Sequence, residues 1–100
     1  MRIIFNTSFI IEEKIEKEWI EFMRRHYITP IKEHHLCEDV IFTQVSIEQP
    51  DGKTYSLQLV FLSPESQDYF LTTWLPSIEE KLIQQYGNQY VCFSSILTEI

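Results

Sequence analysis

Glycine is scarce in this chain: Gly52 and Gly87 are the only two among 100 residues. A phosphate-cradling loop, a dinucleotide fingerprint and a nucleophile elbow each need glycines clustered within a few residues, where the backbone must approach a ligand or turn through positive φ. None of these can be built here. Cysteine is scarce as well. Cys37 and Cys92 fall in different elements, which leaves no C-x-x-C redox or metallochaperone motif and no disulfide framework. Basic residues are outnumbered, with 8 Lys and Arg against 15 Asp and Glu and a net charge of −7. Nucleic acids and anionic membrane surfaces are bound by releasing counterions with Lys and Arg, so neither is expected as a partner. The one basic knot, Arg24-Arg25, has Glu21 and Glu33 near it and reads as a solvated helix end. Long apolar runs are missing too, and "MRIIFNTSFII" is broken by Asn6-Thr7-Ser8, so neither a membrane span nor a signal segment is expected. Few glycines and prolines leave little room for linkers, and no repeat or low-complexity tract is visible. The expectation is one domain over residues 1–100, cytoplasmic, with reduced thiols.

What is present is a dense core composition, 44% hydrophobic and 14% aromatic. "IIFNTSFII" places Phe5, Thr7, Phe9 and Ile11 on one face at period two and predicts a strand. The period then changes. Ile15, Trp19, Phe22, Met23 and His26 form a helical stripe amid charged residues, with Glu13–Lys17 and Glu21–Arg25 as favourable i, i+4 pairs. Pro30 is expected to end or bend that helix near Ile28-Thr29, with Thr29 capping a short continuation to about His35. "VIFTQVSIE" and "TYSLQLVFL", joined by the turn "QPDGK", predict a hairpin. Ser63, Pro64 and Glu65 start a second helix, whose buried stripe is Leu71, Trp74, Leu75, Ile78, Leu82 and Tyr86. Pro76 predicts a kink that costs the Thr72 carbonyl its partner. Gly87 predicts a helix stop, and "QYVCFSSIL" a last strand. The order β-α-β-β-α-β predicts an α+β, ferredoxin-like four-stranded antiparallel sheet, order 4-1-3-2, with both helices on one face.

Sorted by alternation, one face holds Phe5, Thr7, Phe9, Ile11, Ile41, Thr43, Val45, Ile47, Tyr55, Leu57, Leu59, Phe61, Val91, Phe93, Ser95 and Leu97. Thirteen of these sixteen are apolar, so this face is expected under the helices. The other face would carry Asn6, Ser8, Phe42, Gln44, Gln58, Tyr90 and Ser94 among its aliphatics, with no charge at any position. A water-facing antiparallel sheet is normally polar and often charged. An uncharged face therefore points to an interface or ligand cleft, and these seven residues are the candidate site. A homodimer joined through this face is expected, as two-fold pairs are the commonest oligomers, with a small molecule as the second expected partner.

"IKEHHLCED" gathers His34, His35, Cys37 and three acids. A metal would need three or four of them held tetrahedrally. Adjacent residues at a helix end point about 100° apart, so His34, His35 and Cys37 read first as a helix-to-strand connection. His26 continues an apolar stripe and reads as a histidine at the core boundary. Trp19 and Trp74 are core anchors by position. The second helix's acids, Glu65, Asp68, Glu79 and Glu80, read as a solvated face, since no pair of them is fixed across a cleft as acid–base chemistry requires. No motif calls for a cofactor or metal.

Three stretches together resemble a small bacterial family catalogued as domain of unknown function 4286. They are the opening "IIFNTSFIIEEKIEKEWIEFM", the proline-bearing "WLPSIEEKL" and the ending "YGNQYVCFSSILTEI". The resemblance rests on Ile3 to Thr7, on Trp19, Phe22 and Met23, on Tyr86-Gly87, and on Phe93 to Leu97. The family usually carries a glycine near His34-His35, which this chain lacks. The resemblance implies the ferredoxin-like fold and a relation to dimeric α/β-barrel proteins, and it implies no activity. Monooxygenases among the fold's relatives suggest a competing class, an enzyme using Asn6, His26 and Trp74 between sheet and helices.

Overall fold

A computed structural model describes residues 1–46 and 52–100 of the chain. Four strands form: β1 (Ile3–Ile11), β2 (Asp39–Val45), β3 (Lys53–Phe61) and β4 (Tyr90–Thr98). They pair antiparallel throughout in the order β2-β3-β1-β4, the expected order counted from the other edge. This is the ferredoxin-like arrangement. The expected turn at Pro50 and Asp51, and Ile47 with it, lie outside the described residues.

The helical segments follow one plan twice. After a 3₁₀ turn at Glu13–Ile15, α1 (Glu16–Met23) and α2 (Thr29–Glu33) are joined without a break by a π-turn at Arg24–Ile28. Likewise α3 (Pro64–Tyr69) and α4 (Leu75–Tyr86) are joined by a π-turn at Phe70–Trp74. Each π-turn ends two residues before a proline. Thr29 N–H reaches back five residues to the Arg24 carbonyl, and Leu75 N–H to that of Phe70. The wider turn absorbs the hydrogen bond a proline cannot make and the clash of its ring with the preceding turn. Thr29 is accordingly helical (φ −58°) and caps nothing, contrary to expectation. Ser63 does cap, with its Oγ accepting from Ser66 N–H at 3.2 Å.

The π-turns also shift the buried stripe. Tyr27, Ile28, Ile31 and Phe70 are buried, although a 3.6-residue period does not select them. Trp19, Met23, Tyr27 and Ile31 recur every fourth residue, as do Phe70, Trp74, Ile78, Leu82 and Tyr86. A plain α-helix would rotate such a series off the core, and one widened turn brings it back. Trp19 packs its ring 5.3 Å from Phe9, 5.1 Å from Tyr55 and 5.8 Å from Phe42. Phe70 lies 5.8 Å from Phe61 and 6.5 Å from Phe5. Fully burying one such ring stabilises the fold by about 2–3 kcal/mol.

The register corrects the expected faces of both edge strands. In an antiparallel pair, directly opposed residues share a face. Phe9 opposes Tyr55 and Cys92, and Thr7 opposes Leu57 and Ser94. Leu57 in turn opposes Phe42, and Tyr55 opposes Gln44. Val40, Phe42 and Gln44 of β2, and Tyr90, Cys92, Ser94 and Ile96 of β4, therefore lie on the helix side. Ile41, Thr43, Val45, Val91, Phe93, Ser95 and Leu97 lie on the uncovered side. β1 and β3 were assigned correctly, and β2 and β4 are each off by one residue, the shift that inverts a whole strand.

Candidate functional site

The seven candidate residues consequently divide. Asn6, Ser8 and Gln58 sit on the uncovered face, whereas Phe42, Gln44, Tyr90 and Ser94 sit on the helix side. Across β2-β3-β1-β4, the uncovered face reads as four rows: Asp39–Val60–Ile4–Leu97, Ile41–Gln58–Asn6–Ser95, Thr43–Ser56–Ser8–Phe93 and Val45–Thr54–Ile10–Val91. Fifteen of the sixteen are uncharged, and the exception, Asp39, stands at a corner. Val60 is buried, while the rest are wholly or partly open to solvent. Apolar rows flank a neutral polar band, within which Ser56 Oγ donates to Asn6 Oδ1 at 3.3 Å. Charge collects beyond the Asp39 row, where Arg2 Nη2 meets Glu99 Oε2 at 2.7 Å. That hydrogen bond and the guanidinium charge hold the Glu99 carboxyl below the usual carboxylate range. The corrected register leaves this face about half apolar, as the sequence reading had it, but brings Phe93 (66% exposed), Val91, Ile41 and Leu97 onto it.

On the helix side, a cleft of about 110 Å³ opens between β1, β4 and the helices. Phe5, Phe9, Leu75, Leu82 and Ile83 supply apolar walls; Thr7, Tyr27, Glu79, Tyr90, Cys92 and Ser94 supply polar atoms. Thr7 Oγ1 and Ser94 Oγ share a hydrogen bond of 3.0 Å. Burial, reinforced by the Glu79 charge, pushes the Tyr27 phenol far above its ordinary value. The same two causes, in the same order, push up the Cys92 thiol. Tyr90 is raised by burial first, then by Cys92 and Glu79. Of these, only Tyr90 and Ser94 were among the candidates. Tyr27 was hidden by the π-turn, and Glu79 by its place among solvated acids. Cys92 was assigned to the opposite face.

"HHLC" forms a helix stop. His35 takes the left-handed conformation (φ 51°), its N–H bonds to the Lys32 carbonyl, and Leu36 N–H bonds to that of Ile31. This pair of bonds is a Schellman motif. His34 stacks on Trp74 at 4.6 Å, and Cys37 Sγ donates to the Asp39 carbonyl at 3.4 Å. Burial raises the Cys37 thiol. The three side chains are thus turned to separate neighbours, and no group of three metal-ligating residues occurs among the described residues. The residues of the enzyme alternative do not converge either. Asn6 lies on the uncovered face, His26 packs on Phe22 at 4.7 Å, and Trp74 is held by His34.

Fold and site together define an α+β ferredoxin-like scaffold whose distinctive surfaces are an uncharged sheet face and a small helix-side cleft. The chain belongs to the family Domain of unknown function (DUF4286), whose model matches residues 2–100. No match is found among curated proteins. Among solved structures it is similar to a NIPSNAP family protein from Agrobacterium tumefaciens, with TM-score 0.69, 12% identity, and coverage of 100% of this chain and 94% of that one. A Bacillus cereus protein assigned to the antibiotic biosynthesis monooxygenases gives TM-score 0.62 at 11% identity, covering 99% and 95%. The de novo designed protein Foldit4 gives 0.64 at 7% identity, with both chains fully covered. At such identities the likeness is one of fold alone, and a designed chain among the matches shows how little fold implies about activity. Among the described residues, no helix is long and apolar enough to cross a membrane.

Proposed function

We propose that the chain is a non-catalytic, homodimeric module for binding small ligands, paired through the uncharged sheet face, with the helix-side cleft left free to take the ligand. The observation that carries the pairing is the four-by-four face with one charge in sixteen positions, in a chain where 23% of residues are charged. Three strands of nine residues and one of seven, about 4.8 Å apart and rising about 3.4 Å per residue, present a face whose pairing buries on the order of 1,100 Å² between two copies. That clears the roughly 1,000 Å² a stable interface needs. The net charge of −7 does not oppose it, because the acids crowd the outward helix surfaces and would lie on opposite outer sides of the pair.

Sedimentation equilibrium at micromolar concentration tests the pairing. The expected mass is twice the 12.0 kDa of one chain. Phe93→Asp, which puts a charge into the face without touching the core, is expected to return the single-chain mass. A wild-type mass of one chain would overturn the pairing.

A further inference from the structure

Among the described residues, Glu79 is the only charged one lining the helix-side cleft. Neither of the two ion pairs recorded among the described residues involves it. Around it stand the phenols of Tyr27 and Tyr90, the Cys92 thiol and the ring of Phe9, which lies 6.3 Å from that of Tyr90. Among the described residues, no Lys or Arg lines the cleft. A ligand entering here meets one uncompensated carboxylate above aromatic and aliphatic walls. An anion would be repelled by Glu79 and by the net charge of −7. A cation would gain the carboxylate and the faces of the rings together, the pairing aromatic sites use for ammonium groups. Size narrows the class further. A water needs about 10–15 Å³ of such volume, so a cleft of about 110 Å³ holds a body of roughly eight non-hydrogen atoms.

We propose that this cleft binds a small monocationic amine, with its ammonium group on the Glu79 carboxylate and a single-ring or short aliphatic body between Phe9, Tyr27, Leu82 and Tyr90. Nothing in this requires covalent chemistry: the Cys92 thiol borders the site as a polarisable wall. The inference rests on the cleft being a binding site, and it is independent of the dimer, because the cleft and the pairing face lie on opposite sides of the sheet.

Three probes of one shape separate the possibilities: benzylamine, benzyl alcohol and benzoate, titrated at neutral pH into the full chain and followed by amide NMR shifts. Benzylamine is expected to move the Tyr27, Glu79, Cys92 and Ser94 signals, to bind about two- to fivefold more tightly than benzyl alcohol, as a partly exposed ion pair gives, and to outcompete benzoate entirely. Glu79→Gln, an exposed change that leaves the fold intact, is expected to reduce benzylamine to the level of benzyl alcohol. Equal binding of amine and alcohol, or an unchanged benzylamine affinity in Glu79→Gln, overturns the amine assignment while the cleft stands. No shift from any probe at millimolar concentration overturns the cleft as well, and a dimer mass measured on the same sample tells that failure apart from failure of the pairing.

Discussion

The two central strands and the two edge strands are built on different terms. Along β1 every odd residue is buried and every even one partly open, a clean alternation from Ile3 to Ile11. Along β4 all residues after Tyr90 are exposed, although Val91, Phe93, Ile96 and Leu97 are as apolar as anything in β1. β1 needs one hydrophobic side because only its helix face is covered by its own chain. β4 is apolar on both sides, carries no charge and no proline, and so lacks the devices by which lone edge strands avoid other chains. A strand that is apolar on both faces is suited to cover on both faces, and this chain supplies little of that cover itself. A second copy seated on the uncovered face would cover Val91, Phe93 and Leu97 there, while the helix side of β4 keeps the open cleft.

The largest expected effects test this contrast directly. Phe9 is 2% exposed beneath Trp19. Phe9→Ala should cost about 3–5 kcal/mol in denaturant unfolding, the usual loss for a buried aromatic, and the loss should not depend on protein concentration. Phe93→Ala should cost under about 0.5 kcal/mol at high dilution, as for an exposed substitution. Its cost should grow as concentration rises, because stability linked to assembly follows mass action. A Phe93→Ala penalty that is independent of concentration would remove the case for cover on β4.

The same contrast explains what was legible in the sequence. Face assignment from alternation works when the two sides of a strand differ, as in Phe5-Asn6-Thr7-Ser8-Phe9. It fails for "YVCFSSILT", where the more apolar parity, Val91, Phe93 and Leu97, is the one the helices leave uncovered. It fails for "DVIFTQV" because Phe42 and Ile41 compete for the core and only the ladder to Leu57 decides. The helices were legible as helices, but their buried residues were only partly so. A spacing of four from Trp19 to Ile31, and from Phe70 to Tyr86, is the written trace of a π-turn before a proline. The helix-side cleft was not legible: it joins Tyr27, Glu79 and Cys92 from three elements, and no local pattern links them.

The next largest effects lie where the chain enters the edge strands. Both entrances pass through a residue at positive φ, Gly87 (49°) before β4 and His35 (51°) before β2. A side chain at Gly87 would meet no atom within 4 Å, so Gly87→Ala tests conformation alone. It should cost about 1–3 kcal/mol, the usual strain of a non-glycine residue held in a sparsely populated backbone region. His35 already bears such a cost. His35→Gly should raise stability by up to about 1 kcal/mol and leave metal content unchanged, the Schellman turn being its main role. A destabilised His35→Gly variant would show instead that the imidazole contributes more than the turn costs.

The smallest effect belongs to the centre. Tyr55 on β3 buries its ring between Trp19 and Phe42 and extends its hydroxyl outward to donate to Glu16 Oε2 at 2.6 Å. Burial first, and then that hydrogen bond and the Glu16 charge, push its phenol up to about 12. An unfolded tyrosine titrates near 10. Between these values the folded chain holds the proton that the unfolded chain has released, so stability falls as pH rises. Below about 10 the contribution is complete; by about 12 it is lost. Melting temperatures of wild type and Tyr55→Phe, followed across that window, should decline with different slopes, the wild type more steeply. Tyr27, Tyr86 and Tyr90 are raised as well and are common to both proteins, so the difference between the slopes isolates Tyr55. Parallel slopes would mean that the Tyr55 hydroxyl reaches water freely in the folded chain and that its contact with Glu16 is open in solution.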